Sequence, residues 1–289
     1  MTRTLLVTGA AGQFGRLALE ALIAATSDKI VAGSRDPAKL ADFAARGVET
    51  RRIDFDDAAS LEAGFKGVDR LLIISSDALD RRLEQQQRAV AAAVQAGVKH
   101  IVYTSMPKPE PGSAIVFAGD HYGTEQAIKA SGIPYTILRV SWYQENLKMA
   151  LPNALKSGQW FSAAGQGKVS HIAREDAAAT AAAVLASTSD ASATYDLTSD
   201  EAFTTEEIAE LASKATGKPL TVVHISDEQL IAGLESHGVP AGMARFIACF
   251  DTNTRLGGTV GPTDAVRKLT GRTPRKLATY LVEHSAEFV

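Results

Sequence analysis

Three glycines near the N-terminus have the spacing of a phosphate-binding turn. Gly9, Gly12 and Gly15 form a Gly-x-x-Gly-x-x-Gly pattern between an apolar run at residues 4–7 and a helical pattern. Glycines at such a turn allow a tight bend and bring the backbone N–H groups of a helix N-terminus close to a pyrophosphate. The spacing differs from the Gly-x-Gly-x-x-Gly of ordinary dehydrogenases, and the alternative is a glycine-rich turn without a ligand. We predict a dinucleotide site here.

Arg35 is the residue that indicates which dinucleotide binds. It lies where the second predicted strand ends, about 20 residues after the glycines, where an acid favours NAD and an arginine favours NADP. Lys39 lies one helical turn beyond Pro37 and adds a second positive charge. Asp36 could instead select NAD, but the proline that follows it favours a helix N-cap role. Charge matching to a 2′-phosphate therefore predicts NADP.

Polar residues follow the next two predicted strands. Asp54 is placed to meet the adenine amino group, with Phe55 beside the ring, although a helix-capping role for Asp54 is the alternative. Ser75 and Ser76 follow an apolar strand and would line the cleft at the carboxyl edge of the sheet. Serine is also a common turn residue, so both interpretations of this pair stay open.

Several catalytic signatures are missing from the sequence. There is no Gly-x-Ser-x-Gly elbow and no P-loop. The six histidines are scattered and Cys249 is the only cysteine, so we expect no metal site. None of the six tyrosines is followed four residues later by lysine, the acid–base pair with which short-chain reductases protonate a carbonyl oxygen. Ketone reduction and sugar epimerisation are therefore disfavoured.

The elements that must position these residues alternate along the first half of the chain. Short apolar runs alternate with helical patterns, which is typical of βαβ units and a parallel sheet. Strands are predicted at residues 4–7, 29–32, 49–53, 70–74, 100–104 and 135–138. Helices are predicted at residues 16–25, 60–65, 83–96 and 124–130. The apolar run at 71–74 shows no alternation, as expected for a strand covered on both faces.

The pattern is looser after Arg139. Short strands are predicted at 160–161, 194–197 and 220–224, and a helix at 175–185. Thr204 and Glu207 have capping-box spacing before a helix that Gly217 ends. We expect an α/β protein: a Rossmann-like parallel sheet flanked by helices, with a smaller, mainly helical C-terminal region. The predicted domains are an NADP-binding domain at 1–150 and a substrate-side region at 151–289, with segment 171–198 a candidate part of the first.

Composition limits the class of protein further. The 289 residues include 30 basic and 33 acidic side chains, a net charge of −3, which lacks the basic excess of nucleic-acid binders. No apolar stretch reaches the ~18 residues of a membrane span. Polar residues interrupt the N-terminal apolar run too early for a signal peptide. A single cysteine forms no internal disulfide, so we expect a cytoplasmic protein. Because the chain lacks both a basic excess and a long apolar stretch, we expect it to bind neither nucleic acid nor membrane.

Several segments together resemble a known family. They are residues 8–15 (TGAAGQFG), 35–39 (RDPAK), 103–105 (YTS) and 131–139 (SGIPYTILR). The chain resembles the NmrA-like branch of the atypical short-chain dehydrogenase/reductase superfamily over nearly its whole length. Within that branch it resembles the type-2 NADPH:quinone oxidoreductases and triphenylmethane reductases, on residues 142–146 (WYQEN) and 163–168 (AAGQGK).

The resemblance implies a set of site residues. It implies that Gly9, Gln13, Phe14, Arg35, Ser75 and Ser76 contact NADP, and that residues 143–146 border the nicotinamide and the substrate pocket. The full predicted cofactor site is Gly9, Ala11, Gly12, Gln13, Phe14, Arg35, Lys39, Asp54, Phe55, Ser75, Ser76, Tyr103, Thr104, Trp142 and Asn146.

His121 and Tyr143 are the predicted catalytic residues. Many NmrA-like relatives carry a lysine near the start of the helix before the Ser-Gly-Ile-Pro segment, where this chain has His121. That departure disfavours reduction of benzylic ethers. His121 is interpreted either as a cleft residue that orients the nicotinamide or donates a proton, or as a simple helix-entry residue, because an imidazole suits both.

The predicted function is an NADPH-dependent reductase that transfers a hydride to a quinone or a similar conjugated electrophile. Hydride addition to a quinone gives a phenolate-like anion with a basicity near that of tyrosinate, pKa roughly 10, so a dedicated acid is not required. The alternatives are a non-catalytic NADP-sensing regulator and a reductase of dyes or azo compounds. A small-molecule acceptor is the expected partner, and a homodimer is left open.

Overall fold

The computed structural model describes residues 2–289 and contains a seven-stranded sheet and a separate two-stranded sheet. The strands are β1 Thr4–Val7, β2 Lys29–Ser34, β3 Glu49–Arg52, β4 Arg70–Ile73, β5 His100–Ser105, β6 Tyr135–Val140, β7 Gln159–Ser162, β8 Ala193–Leu197 and β9 Thr221–His224. The helices are α1 Gln13–Ala25, α2 Ala41–Ala44, α3 Ala58–Phe65, α4 Arg82–Gln95, α5 Ala118–Ala130, α6 Leu151–Ser157, α7 Arg174–Ala186, α8 Thr205–Thr216, α9 Asp227–Ser236, α10 Ala241–Arg255, α11 Ala265–Thr270 and α12 Leu277–Glu283.

The large sheet is parallel, with the strand order β3-β2-β1-β4-β5-β6-β8. The chain moves outward from β1 to β3 and then returns to place β4 on the other side of β1. The order therefore reverses between β1 and β4, and the loops after these two strands are neighbours. Such a switch point is where ligands bind in open α/β sheets. The predicted Rossmann-like fold is confirmed.

Alternating strand residues face two helical layers. Leu5 and Val7 of β1 pack in a core cluster with residues of α1 and α7. Leu6 faces the opposite way, into a second cluster with residues of α3, α4 and α5. All four residues of β4 are buried, which explains the apolar run without alternation. The two clusters hold the sheet rigid below the site.

The strands predicted in the first half are confirmed, with ends that differ by one or two residues. The largest difference is at α5, which begins at Ala118 rather than at residue 124. Two glycines in that first stretch argue against a helix by propensity. Tertiary packing overrides the propensity, because a Cβ at Gly123 would lie 2.6 Å from a methyl of Leu83. Glycine there lets α4 and α5 approach closely.

The second half of the chain is shared between the two sheets. Helix α7 packs on α1, and β8 joins the large sheet beside β6, so segment 171–198 contributes an edge strand to it. Strands β7 and β9 form the separate parallel pair. The predicted capping box of α8 is confirmed, with Thr204 Oγ1 accepting from the Glu207 amide at 3.2 Å. The division into domains at residue 150 stays a prediction.

The mainly helical C-terminal region is confirmed. From residue 227 onward it consists of α9, α10, α11 and α12 with a final 3-10 turn, Ser285–Glu287. A third apolar cluster around Leu151, Ile208 and Tyr280 joins α6, α8 and α12. Among the described residues, no helix has the length and hydropathy to cross a bilayer.

Candidate cofactor and active site

The loop after β1 leaves a set of backbone donors open. Gly9 has a φ of +58°, which only glycine adopts without strain, and its carbonyl accepts from the Gly12 amide at 3.0 Å. Gly12 is the N-cap of α1 and makes no side-chain cap. The first amide to bond back is that of Arg16, to the Gly12 carbonyl at 2.9 Å, so the Gln13 and Phe14 amides have no helical acceptor. These amides at the positive end of α1 fit a pyrophosphate.

Gly12 and Gly15 have different tasks in this loop. A Cβ at Gly15 would overlap the Gly9 carbonyl oxygen and lie 2.6 Å from the Cα of Ala10. A Cβ at Gly12 would meet only the Gly9 oxygen, at 3.3 Å, and Gly12 is exposed. Gly15 therefore lets α1 pack on the loop, whereas Gly12 keeps the approach to the amides clear. Ala11, between them, is half-buried against the first core cluster.

The charges after β2 lie where the sequence predicts them. Arg35 and Lys39 are exposed, and neither forms an ion pair with a residue of segment 2–289. Asp36 is the N-cap of the 3-10 turn Pro37–Leu40 and accepts from the Ala38 amide at 3.1 Å. The predicted capping role of Asp36 is confirmed. The two cations remain available to a phosphate.

Asp54 does not cap the following helix. The N-cap of α3 is Asp57, which accepts from the Ser60 amide at 3.2 Å. The Asp54 carboxylate accepts from the Asp56 amide at 3.1 Å in a turn, and the capping alternative for Asp54 is wrong. Phe55 is half-buried beside the second core cluster. Both residues lie after β3, two strands from the switch point, on the side of Arg35.

The loop after β4 is fastened to β5 and α4. The Ser75 amide donates to Thr104 Oγ1 at 2.9 Å, so the Thr104 side chain holds the loop after β4 in place. Ser76 Oγ donates to Gln85 at 2.9 Å, and the Ser76 carbonyl accepts from Nε of Arg82 at 2.7 Å. Ser75 and Ser76 are half-buried at the carboxyl edge of the sheet, and their contact with a cofactor stays a prediction.

His121 lies in the first turn of α5, and its ring is part of a buried network. Its Nδ1 is 2.8 Å from the hydroxyl of the fully buried Tyr103, and its Nε2 is 3.4 Å from Nη1 of Arg82. Because guanidinium groups only donate, Nε2 accepts and Nδ1 carries the proton that is donated to Tyr103. Burial, with the charge of Arg82, lowers the pKa of His121 to about 3. The imidazole is therefore neutral, and both of its nitrogens are engaged.

Tyr143 and Trp142 begin the segment that leaves β6. The Tyr143 ring lies under the guanidinium of Arg174, 4.7 Å from its centre, and burial raises the pKa of its phenol. The Trp142 ring packs on Phe250 at a centroid distance of 4.3 Å. Asn146 is half-buried in the 3-10 turn Gln144–Met149. Trp142 therefore faces α10 of the C-terminal region, whereas Tyr143 packs beside the first core cluster, on the side of the glycine loop and α1.

An aromatic cluster extends this surface. Phe117 lies 5.9 Å from the His121 ring, 5.7 Å from Phe246 and 6.1 Å from Phe250. Phe246 and Phe250 are one turn apart on α10, roughly a hundred residues after Trp142 in the chain. Sequence reasoning missed both because nothing local connects them to the sheet edge. An aromatic pair at i and i+4 on a partly exposed helix was the available signal.

The arrangement defines a class of protein. The strand order reverses beside a glycine loop with open amides, unpaired cations follow β2, and an aromatic surface lies beyond β5 and β6. This is a Rossmann-like dinucleotide-binding protein with an aromatic cluster beside the carboxyl edge of its sheet. Within residues 2–289, no three potential His, Cys, Asp or Glu ligands are grouped around a metal position.

Comparison with known proteins agrees with this class. The NmrA-like family matches residues 1–281, and the chain belongs to it. It is 37% identical to Quinone oxidoreductase 2 of Escherichia coli over 273 residues, 94% of this chain and 95% of that protein. It is 29% identical to an NAD(P)H azoreductase of Xenophilus azovorans over 88% of both chains.

Solved structures give the same picture. An E. coli NADPH-dependent quinone oxidoreductase complexed with NADPH superposes with a TM-score of 0.91 at 36% identity, covering 96% of this chain and 98% of that one. The Citrobacter sp. triphenylmethane reductase complexed with NADP(H) superposes with a TM-score of 0.89 at 33% identity, covering 97% and 99%.

Proposed function

We propose that this protein is an NADPH-dependent reductase that transfers a hydride to a quinone or a similar conjugated electrophile. The observation that carries the proposal is the 37% identity to a quinone oxidoreductase over 94% of the chain. The open amides after Gly12, the unpaired Arg35 and the aromatic surface around Phe117 support it from the geometry.

NADPH fits the residues at the switch point. The Gln13 and Phe14 amides would hold the pyrophosphate, Arg35 with Lys39 the 2′-phosphate, and Asp54 with Phe55 the adenine. The nicotinamide end would lie toward Ser75, Ser76 and Asn146, with Tyr103 and Thr104 supporting that part of the cleft from below. NADPH bound there supplies a hydride from its nicotinamide C4.

The catalytic candidates act by positioning. His121 is neutral and donates inward to Tyr103, so it has no N–H directed at an acceptor. Tyr143 keeps its phenol proton because burial raises its pKa. The acceptor anion therefore takes its proton from water, which suffices for a phenolate-like product of pKa roughly 10. Holding the reactants together in a dry cleft then provides the rate enhancement.

The aromatic surface indicates what the acceptor looks like. Phe117, Trp142, Phe246 and Phe250 pack on one another and are half-buried, so the exposed parts of their rings are available to a planar conjugated molecule, which such rings bind by offset stacking. A simple aliphatic ketone lacks that stacking area, and its alkoxide product needs an acid that the chain does not place there.

The test is turnover of purified protein without added flavin. NADPH oxidation, followed by absorbance, is expected with small benzoquinones and naphthoquinones and not with simple ketones. NADPH with deuterium at the C4 position that is transferred should slow turnover, whereas deuterium at the other prochiral position should not. Where the acceptor takes the hydride at a carbon that keeps it, the product should carry the label. Dependence on added flavin, or brisk ketone reduction, would contradict the proposal.

Two further outcomes separate the alternatives. Tight NADPH binding without turnover of any quinone, triphenylmethane dye or azo compound would favour a cofactor-sensing regulator. Faster turnover of dyes than of quinones would keep the reductase chemistry and change the acceptor class. A homodimer and a cytoplasmic location stay predictions, to be checked by light scattering and by cell fractionation.

A further inference from the structure

Arg82 occupies an unfavourable place for a cation. Its side chain is 8% exposed, and no carboxylate of residues 2–289 lies within 4.0 Å of its guanidinium nitrogens. It is also the first residue of α4, at the positive end of the helix dipole. Removing a charge from water without a partner is strongly destabilising. A buried cation of this kind beside a ligand site is a candidate functional residue.

Arg70, which is buried, and Arg139, which is half-buried, do not share this property. Arg70 donates to the Leu185, Val184 and Ser189 carbonyls at the end of α7 and reaches Asp190 at 3.3 Å. Arg139 pairs with the fully buried Glu125, at 2.8 and 2.9 Å. Both have clear structural partners. Arg82 alone of the three has a buried guanidinium without a carboxylate.

The contacts of Arg82 place its charge at the reacting end of the proposed site. Nε donates to the Ser76 carbonyl at 2.7 Å, and Nη1 donates to His121 at 3.4 Å. The guanidinium lies over the Phe117 ring, 5.0 Å from its centre. Nη2 has no hydrogen-bond partner in the described part of the chain. Donors thus remain open beside Ser76, His121 and Phe117.

We propose that Arg82 is the positive charge that stabilises the oxyanion formed when the acceptor is reduced. The inference rests on the proposed quinone reduction and adds the group whose charge stabilises the anion formed in that reaction. NADPH gives up a hydride, which carries two electrons, and is oxidised to NADP+. The quinone that accepts this hydride becomes the monoanion of a hydroquinone. A proton from water then completes the hydroquinone. A preorganised cation in a water-poor site lowers the free energy of that anion.

Within residues 2–289, none of the charged and titratable groups around Arg82 neutralises its guanidinium by direct pairing. The charges of Asp120 on α5 and Asp77 after β4 act on it from beyond ion-pair distance, and Tyr103 and His121 are neutral groups beside it. Burial lowers the pKa of Arg82, and an arginine guanidinium stays protonated in proteins. The local charge is therefore positive.

The first experiment needs no turnover. A nitrophenol, whose phenolate absorbs visible light, is titrated into the NADP+ complex of the wild type, Arg82→Lys, Arg82→Met and the neighbouring exposed control Arg81→Met. The apparent pKa of the bound phenol is expected to be about one pH unit lower in the wild type and in Arg81→Met than in Arg82→Met. Arg82→Lys is expected to keep most of the shift. Equal values in all four proteins would overturn the inference.

Turnover and stability supply the second reading. Arg82→Met should lower kcat for quinones about 100-fold with little change in NADPH affinity, and Arg82→Lys should restore part of it. The free energy of unfolding of Arg82→Met should equal or exceed that of the wild type, because the variant no longer buries a charge without a carboxylate partner. Loss of stability together with activity would indicate a structural role instead. No turnover in the wild type would refute the proposed function, while the nitrophenol titration would still decide the role of Arg82.

Discussion

The contribution of Arg35 to cofactor choice can be tested by replacing it with alanine. Arg35 is exposed directly after β2 and has no ion-pair partner within residues 2–289, so its charge is available to a ligand. The acid nearest to it in sequence, Asp36, is occupied by capping the turn Pro37–Leu40. Arg35→Ala should therefore weaken binding of NADPH and leave binding of NADH nearly unchanged.

The size of the effect follows from the setting of the side chain. A hydrogen bond to a charged group contributes roughly 1.5–3 kcal/mol, and each 1.4 kcal/mol changes Kd tenfold. Solvent screens an exposed contact, so the lower value applies and the expected loss is about tenfold. Lys39, also exposed, compensates part of the charge. The double variant Arg35→Ala/Lys39→Ala should lose about 100-fold.

Isothermal calorimetry of NADPH and NADH binding provides the assay. Arg46→Ala is the matched control, because Arg46 is an exposed arginine that already pairs with Glu20, at 2.6 and 2.8 Å. Its NADPH affinity should equal that of the wild type. Equal losses of NADPH and NADH in Arg35→Ala would show that the side chain supports the loop rather than the 2′-phosphate. An unchanged NADPH affinity would remove Arg35 from the site.

Three further predictions follow from the geometry. Gly12→Val should keep the wild-type melting temperature and abolish NADPH binding in calorimetry. Gly15→Ala should lower the free energy of unfolding by about 1–3 kcal/mol, because its Cβ meets the backbone of the loop, and a Gly15→Ala variant as stable as the wild type would contradict the packing role. Glu125→Gln should lose about 3–5 kcal/mol in urea unfolding by breaking a buried ion pair, while Glu110→Gln, half-exposed, should lose less than 1. Burial lowers the pKa of His100 to about 4, so the unfolded chain binds the proton first and His100 alone should lower the stability by about 3 kcal/mol from pH 6.5 to 4. The buried His121 and His171 contribute in the same direction, so His100→Asn should reduce the pH slope of stability by about that amount, and an unchanged slope would refute the assignment.

The parts of the site that could be predicted from sequence are local ones. The turn at the glycine loop, the exposed position of Arg35 after β2 and the capping role of Asp36 each depend on neighbours within a few residues, so spacing and turn chemistry were sufficient to predict them. The cap of α3 shows the limit of that reasoning, because several aspartates precede the helix and only the structure identifies Asp57.

The parts that could not be predicted depend on contacts between distant segments. Arg82 lies in a run of charged residues that resembles a solvated helix start, yet packing of α4 against α5 buries it beside His121. Phe246 and Phe250 meet Phe117 only because α10 folds back across the sheet edge. The early start of α5 depends on Gly123 meeting Leu83. Neither periodicity nor propensity encodes such long-range proximity.

The place of β8 in the large sheet has a consequence for how the two halves of the molecule can be separated. The chain leaves the sheet after β6, forms α6 and β7, and returns to add α7 and β8. It leaves again for α8, β9, α9 and α10, returns to pack α11 on α7 and β8, and ends with α12 beside α8. The region beyond the sheet is thus joined to it by five covalent crossings, and exchanging that region between relatives would require five junctions. A fragment ended at residue 150 would lose the layer over α1 and expose β6 as an unpaired edge, which invites aggregation.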